Sequence, residues 1–185
     1  VKLFQRGWHQ NARVIASPNY NQRPPGINVD AVVIHNISLP PGVFGGSDIE
    51  ALFTNTLEYD AHPAYHQLRN LKVSAHFLIR RNGELIQFVA THLRAWHAGV
   101  SDYKGRQNWN DFSIGIELEG TDTLPYTASQ YSSLARLIVD LQAIYPAIIS
   151  DNIAGHQDIA PTRKTDPGSA FDWKRLRLTM EALDR

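Results

Sequence analysis

The segment AVVIH, residues 31–35, is an unbroken, mostly β-branched apolar run that ends on a histidine. Branching at Cβ favours extended backbone, and a run without polar positions offers no face to water. It is predicted to be a strand buried on both faces, which demands a sheet covered on each side by other layers. A second strand is predicted from DFSIGIELEG, residues 111–120. There Phe112, Ile114, Ile116 and Leu118 alternate with Ser113, Gly115, Glu117 and Glu119, giving an apolar back and an acidic front. In SAHFLIRRNGELIQFV, residues 74–89, two apolar segments flank Asn82-Gly83. That dipeptide suits the positive φ angles of a tight hairpin turn, so two antiparallel strands are predicted.

Helical periodicity fills the intervals. SDIEALFTN predicts a short helix near 47–54, after the loop LPPGVFGG. Thr127 and Gln130 form a capping box, Tyr131, Leu134, Ile138, Leu141 and Tyr145 recur at helical spacing, and Pro146 stops the run. Asp172 can cap a last helix reaching about Leu183, and NIAG (152–155) is a short apolar approach to His156. The order strand, helix, hairpin, strand, helix, short strand, helix predicts an α/β fold with a central mixed sheet flanked by α-helices. The 185 residues, without repeats or linkers, suit a single domain over 1–185.

Eighteen basic side chains balance eighteen acidic ones, with no run of like charge. Neither a nucleic acid nor an anionic membrane is therefore the expected partner, and no obligate protein partner is evident. Without cysteine there is no disulfide, thiolate catalysis or sulfur-bound metal, so any metal must use histidine and carboxylate. VKLFQRGWHQ lacks the apolar region of a signal peptide and no stretch approaches the ~20 apolar residues of a membrane span, so a soluble chain is expected.

Of the eight histidines, His9, His62, His66 and His92 are expected to be solvated or capping, and His76 to buttress the interior of the hairpin strand; His97, in AWHAG, is ambiguous. His35 stands apart because an apolar strand delivers it to its end, where α/β sheets build sites, although a core histidine is the alternative. GHQDIAPTRKTDPG, residues 155–168, places His156 ten positions before Asp166, so the two converge only if the chain bends back, as Pro161 favours. With His35 they make a His, His, carboxylate set that suits zinc and leaves a fourth position for water. Glu117 needs a reason to lie mid-strand; Glu119 shares its face, but Gly120 marks the strand's end just beyond it, which favours Glu117. Lys164, two residues before Asp166, could face a developing oxyanion.

These segments, with SPNYNQRP, RAWHAGVS and FDW, resemble the zinc-dependent N-acetylmuramoyl-L-alanine amidases of the type-2 amidase and peptidoglycan-recognition fold. The resemblance is close to the cytosolic branch that cleaves anhydro-muramyl peptides in bacterial cell-wall recycling. It implies a cytoplasmic hydrolase with one zinc on His35, His156 and Asp166, the last standing where many relatives have cysteine. It further implies Glu117 as acid/base and Lys164 as the group that stabilises the transition state. For the anhydro-muramyl peptide it implies Asn36 beside the first ligand, Trp96 as a wall and Arg163 near carboxylate or carbonyl groups. Lys72 matches a position where close relatives carry arginine, and keeps the charge without the bidentate fork. Loss of such an activity lets muropeptides accumulate and can raise β-lactamase expression where the regulatory circuit exists. The rival readings are a non-catalytic peptidoglycan-binding module and a secreted amidase acting on intact wall; the joint presence of both histidines, Asp166, Glu117 and Lys164 favours the enzyme.

Overall fold

The computed structural model describes residues 3–183; residues 1, 2, 184 and 185, at the ends of the predicted domain, lie outside the described residues. A six-stranded sheet is built from β1 (Arg13–Val14), β2 (Ala31–Ile37), β3 (Phe77–Ile79), β4 (Leu85–Gln87), β5 (Ser113–Glu119) and β6 (Ile153–Gly155). Their order across the sheet is β6-β2-β5-β3-β4-β1. β2 runs parallel to β6 and β5, β5 parallel to β3, and β4 parallel to β1, while β3 and β4 pair antiparallel. The predicted mixed sheet is thus present, and the helices α1 (Asp48–Phe53), α2 (Ala128–Ile144), α3 (His156–Ile159) and α4 (Trp173–Leu183) fall where periodicity put them or directly after β6. No helix among the described residues is long and apolar enough to cross a membrane.

One face of the sheet presents Val32, Ile34, Ile114, Ile116 and Leu118 to Leu134, Ile138 and Leu141 of α2 and to Leu176 and Met180 of α4. The reciprocal cap that starts α2 is formed: Thr127 Oγ1 accepts the Gln130 N–H and Gln130 Oε1 accepts the Thr127 N–H, each at 3.1 Å. On the other face Ala31 and Val33 pack with Trp109, Phe112 and Ile159, and Leu78 and Ile86 pack with Ile49, Leu52 and Phe53 of α1. Because both faces are covered, all seven residues of β5 are buried, with Glu119 bound to protein groups and Glu117 at the wall of a cavity. Phe112, expected on the helix-facing side, precedes the strand and joins Trp109 on the opposite one.

Two other expectations are corrected, for the hairpin turn and for His9, and Glu119 is found in a structural role. In the hairpin turn only Gly83 takes a positive φ, +88°; the loop is longer than two residues, closed by the Gly83 N–H to the Arg80 carbonyl at 2.9 Å and the Arg80 N–H to the Glu84 carbonyl at 3.0 Å. Asn82 contributes its side chain, which accepts the Glu84 N–H. Glu119 is 1 % exposed and binds inward, accepting from the Arg80 guanidinium, the Gly45 N–H and the Arg81 N–H. His9 is buried because the ribbon Phe4–Gln5/Trp8–His9 lies against the core, and its Nε2 pairs with Asp140 of α2 at 3.1 Å. His62 does cap a 3-10 turn, and His66 and His92 are exposed.

Candidate active site

The parallel registers assemble the site. Glu117 of β5 pairs with His35 of β2, and Gly155 at the end of β6 pairs with Ile34, so His156 opens α3 just beyond the sheet. The site therefore lies toward the carboxyl ends of three adjacent parallel strands, where α/β sheets gather ligands. The chain then turns over residues 161–163 and returns, and the Gln157 N–H donates to the Asp166 carbonyl at 2.8 Å. The bend expected at Pro161 thus brings the two ends of the 155–168 segment together.

His35 Nδ1 and His156 Nδ1 are 3.0 Å apart, and each lies 3.2 Å from Asp166 Oδ2. His156 Nε2 is 3.0 Å from the Ala98 carbonyl; an oxygen that can only accept requires Nε2–H, which leaves Nδ1 a lone pair. His35 Nε2 is likewise engaged, 2.9 Å from His97 Nδ1. Electron-rich atoms converging in a small triangle repel one another unless a cation sits among them. With zinc–nitrogen bonds of about 2.0–2.1 Å a tetrahedral edge is about 3.3 Å, close to the sides observed. The donor set therefore fits a zinc-type ion, and it is the group of three or more metal-ligating side chains found among the described residues. Burial, and then the His156 charge, push the His35 pKa down to about 4 against the opposing pull of Asp166, so its imidazole is neutral at pH 7, the form a metal needs.

Glu117 is buried, and its Oε2 has no hydrogen-bond partner. Burial pushes its pKa well above the usual carboxylate range, with Asp166 adding and Lys164 opposing, as suits a group that must take and return a proton. A cavity of about 240 Å³ is lined by His35, Glu117, His156, Asp166 and Lys164, with Trp96 and an apolar wall that includes Leu39 and Phe53. A second cavity of about 550 Å³ adjoins it, sharing Asn36, Lys164 and Asp166.

The sequence-predicted binding residues are spread more widely. The Asn36 side-chain amide donates to Asp122 Oδ1 at 2.8 Å and to the Pro167 carbonyl at 3.2 Å, so it ties β2 to the loop that carries Asp166. Trp96 lines the smaller cavity with its Nε1 on Asn21 Oδ1. Arg163 lines the larger one, with one guanidinium nitrogen spent on the Ala98 and Val100 carbonyls. Lys72 is exposed between the lining residues Leu71 and Val73. Two positioning groups escaped sequence reasoning. Asp122, on a loop without periodicity, accepts from both Asn36 and Thr165 Oγ1. His97 stood unassigned, yet it touches His35, and Gly115 of β5 makes room for its ring.

Behind the site, His76 is fully buried: its Nδ1 accepts the Gly115 N–H at 3.0 Å and its Nε2 reaches the Leu93 carbonyl, the buttress expected of it. Burial, and then the Arg23 guanidinium, push its pKa down to about 3, against about 6.5 in an unfolded chain. The unfolded state therefore binds the extra proton between these values. The stability His76 contributes is complete above about pH 6.5 and falls with pH by about 1.4 kcal/mol per unit until the folded imidazole also protonates. His35 acts in the same direction down to about 4, and the raised Glu117 carboxyl opposes the two imidazoles. Denaturant midpoints of the metal-free protein are expected to fall steeply from pH 7 to 4; a flat profile would contradict the neutral burial of these rings.

Residues 21–169 match the family model described as N-acetylmuramoyl-L-alanine amidase. The 1,6-anhydro-N-acetylmuramyl-L-alanine amidase AmpD of Salmonella typhimurium (strain SL1344) is 59% identical over 175 residues, 95% of this chain and 93% of the relative. The chain belongs to the N-acetylmuramoyl-L-alanine amidase family. The likeness of this amidase to its relatives extends to the fold: a crystal structure of a selenomethionine AmpD derivative superposes with a TM-score of 0.93 at 56% identity, covering 96% of this chain and 98% of that one. The N-acetylmuramyl-L-alanine amidase AmiD from Escherichia coli, solved with the substrate anhydro-N-acetylmuramic acid-L-Ala-D-gamma-Glu-L-Lys, has a TM-score of 0.59 at 29% identity. It covers 85% of this chain and 60% of its own.

Proposed function

We propose that this amidase is a single-domain, zinc-dependent, cytoplasmic enzyme of cell-wall recycling. It hydrolyses the lactyl amide between 1,6-anhydro-N-acetylmuramic acid and L-alanine in soluble muropeptides. The observation that carries the reading is the His35, His156, Asp166 triangle opening, with the unpartnered Glu117 carboxyl and Lys164, into one cavity. The near full-length likeness to a 1,6-anhydro amidase and the substrate seen with the more distant AmiD support the anhydro-muramyl peptide as ligand. Zinc held by the three residues supplies Lewis acidity at the scissile carbonyl and lowers the pKa of water for the attack.

The chain's own groups do the rest. Glu117 takes a proton from the attacking water as the new C–O bond forms, then delivers it to the alanine nitrogen as the C–N bond breaks. The Lys164 ammonium faces the carbonyl oxygen as its negative charge develops, in a cavity where burial strengthens the interaction. Trp96 forms a wall for the sugar or peptide, Asn36 holds the Asp166 loop beside the ligand, and Arg163 and Lys72 offer positive charge to its carboxylates. The products are the free anhydro sugar and the peptide with a free alanine amine. No nucleic acid, membrane or obligate protein partner enters this account, and accumulation of uncleaved muropeptide links the enzyme to β-lactamase induction where that circuit exists.

The zinc-loaded protein is expected to release peptide from soluble anhydro-muropeptides far faster than from polymeric cell wall. Equal or faster cleavage of intact wall, in parallel assays by chromatography, would overturn the assignment to recycling.

A further inference from the structure

His97 lines the cavity but stands outside the His35, His156, Asp166 triangle, and it is held with unusual completeness. The Asn110 side-chain oxygen accepts the N–H groups of both His97 and Ala98, at 3.0 and 2.8 Å. A Cβ on Gly115 would lie 2.3–2.6 Å from the His97 ring, so only glycine leaves room for it in β5. From His97 a chain of hydrogen bonds leads away from the metal centre, and its direction is fixed at the far end. The Trp109 carbonyl can only accept, so Ser113 Oγ, 2.5 Å away and fully buried, spends its single proton there. Ser113 then has only lone pairs for His97 Nε2 at 3.3 Å, which must carry the ring proton. His97 Nδ1 is therefore an acceptor, and the hydrogen bond at 2.9 Å runs from His35 Nε2–H to it.

We infer that His97 is a positioning residue: through the chain His35, His97, Ser113, Trp109 it holds His35 in the tautomer whose Nδ1 lone pair faces His156 and Asp166. The neighbouring residue does the same for the second histidine, since the Ala98 carbonyl accepts from His156 Nε2. Two consecutive residues clamped by Asn110 thus orient both imidazoles. Outer partners of this kind typically change metal affinity 10- to 100-fold. The inference deepens the zinc reading given above and rests on it for its consequence, though not for the tautomer itself.

The test pairs His97→Leu, which removes the acceptor, with His97→Asn, whose side-chain oxygen can stand where Nδ1 stood; Ser113→Ala removes the anchor that directs the chain. Zinc dissociation constants are measured by chelator competition, and the His35 tautomer by nitrogen-15 NMR of the metal-free folded protein. Expected are an Nε2–H His35 in the parent, a tautomer mixture with ~10- to 100-fold weaker zinc binding in His97→Leu, near-parental behaviour in His97→Asn, and a smaller weakening in Ser113→Ala. If His97→Leu does not fold, Ser113→Ala and the parent spectrum decide. A parent His35 carrying Nδ1–H, or a folded His97→Leu with parental zinc affinity and tautomer, would overturn the inference. A parent that binds no zinc would sink the metal reading, while the tautomer would still decide the relay.

Discussion

Replacing Glu117 by glutamine is expected to lower kcat about 10²- to 10⁴-fold, the usual contribution of a general acid/base group, with fold and metal content preserved. Glutamine has the same shape and fits the same buried place on β5, but it cannot take a proton from water and return it to the departing amine. In the native protein one carboxylate oxygen there has no partner, and burial raises the affinity of the group for a proton. Glu119 is the control, because it lies two residues along the same strand and its charge is consumed by structure. It pairs with the buried Arg80 at 2.8 Å and anchors the backbone of Gly45 and Arg81. Glu119→Gln is expected to lower the Tm, since removing one member of a buried ion pair is costly, and to leave kcat near the parental value. Steady-state kinetics with metal analysis of both variants checks the pair; an active Glu117→Gln beside a well-folded, inactive Glu119→Gln would reverse the two roles.

His35→Ala and Asp166→Ala are each expected to abolish tight zinc binding and, with it, turnover. The parent should hold about one zinc per chain, as three ligands plus water is the usual catalytic arrangement. Each substitution removes one corner of a triangle whose sides are 3.0–3.2 Å. No neighbouring ring replaces a lost corner, because His76 and His97 are both held by hydrogen bonds of their own. Elemental analysis after desalting, with activity before and after chelation, measures the effect. Activity that survives chelation, or zinc retained at parental stoichiometry by either variant, would refute the metal centre.

The central strands, and with them the placing of His35 and Glu117, were legible in the sequence through periodic burial. AVVIH and the alternation in β5 specify two central strands, and their parallel pairing sets Glu117 opposite His35 without further information. The lack of cysteine limited any metal donors to histidine and carboxylate, spacing made His156 and Asp166 candidates if the chain bends back between them, and the resemblance to the amidase family singled them out. Pattern favoured Glu117 over Glu119 only through the strand end at Gly120. Both alternate correctly, and the physical distinction between a satisfied carboxylate and an unpartnered one comes from Arg80, just beyond β3. The same limit applies to His97, Asp122 and the burial of His9, each decided by a partner from 16 to 131 positions away in the chain. The two-residue hairpin turn failed for a local reason: only Gly83 takes a left-handed backbone, and Asn82 contributes its side chain to the Glu84 N–H instead.

The central claim is that one specific amide bond is hydrolysed, and mass spectrometry of the products tests it most directly. The zinc-loaded protein is incubated with a single purified anhydro-N-acetylmuramyl tripeptide. The expected products are free 1,6-anhydro-N-acetylmuramic acid and an intact tripeptide with an alanine amine at its terminus, one oxygen from solvent water appearing in the lactyl carboxylate. Unchanged substrate, cleavage within the peptide, or solvent oxygen in the peptide instead of the sugar acid would contradict the account.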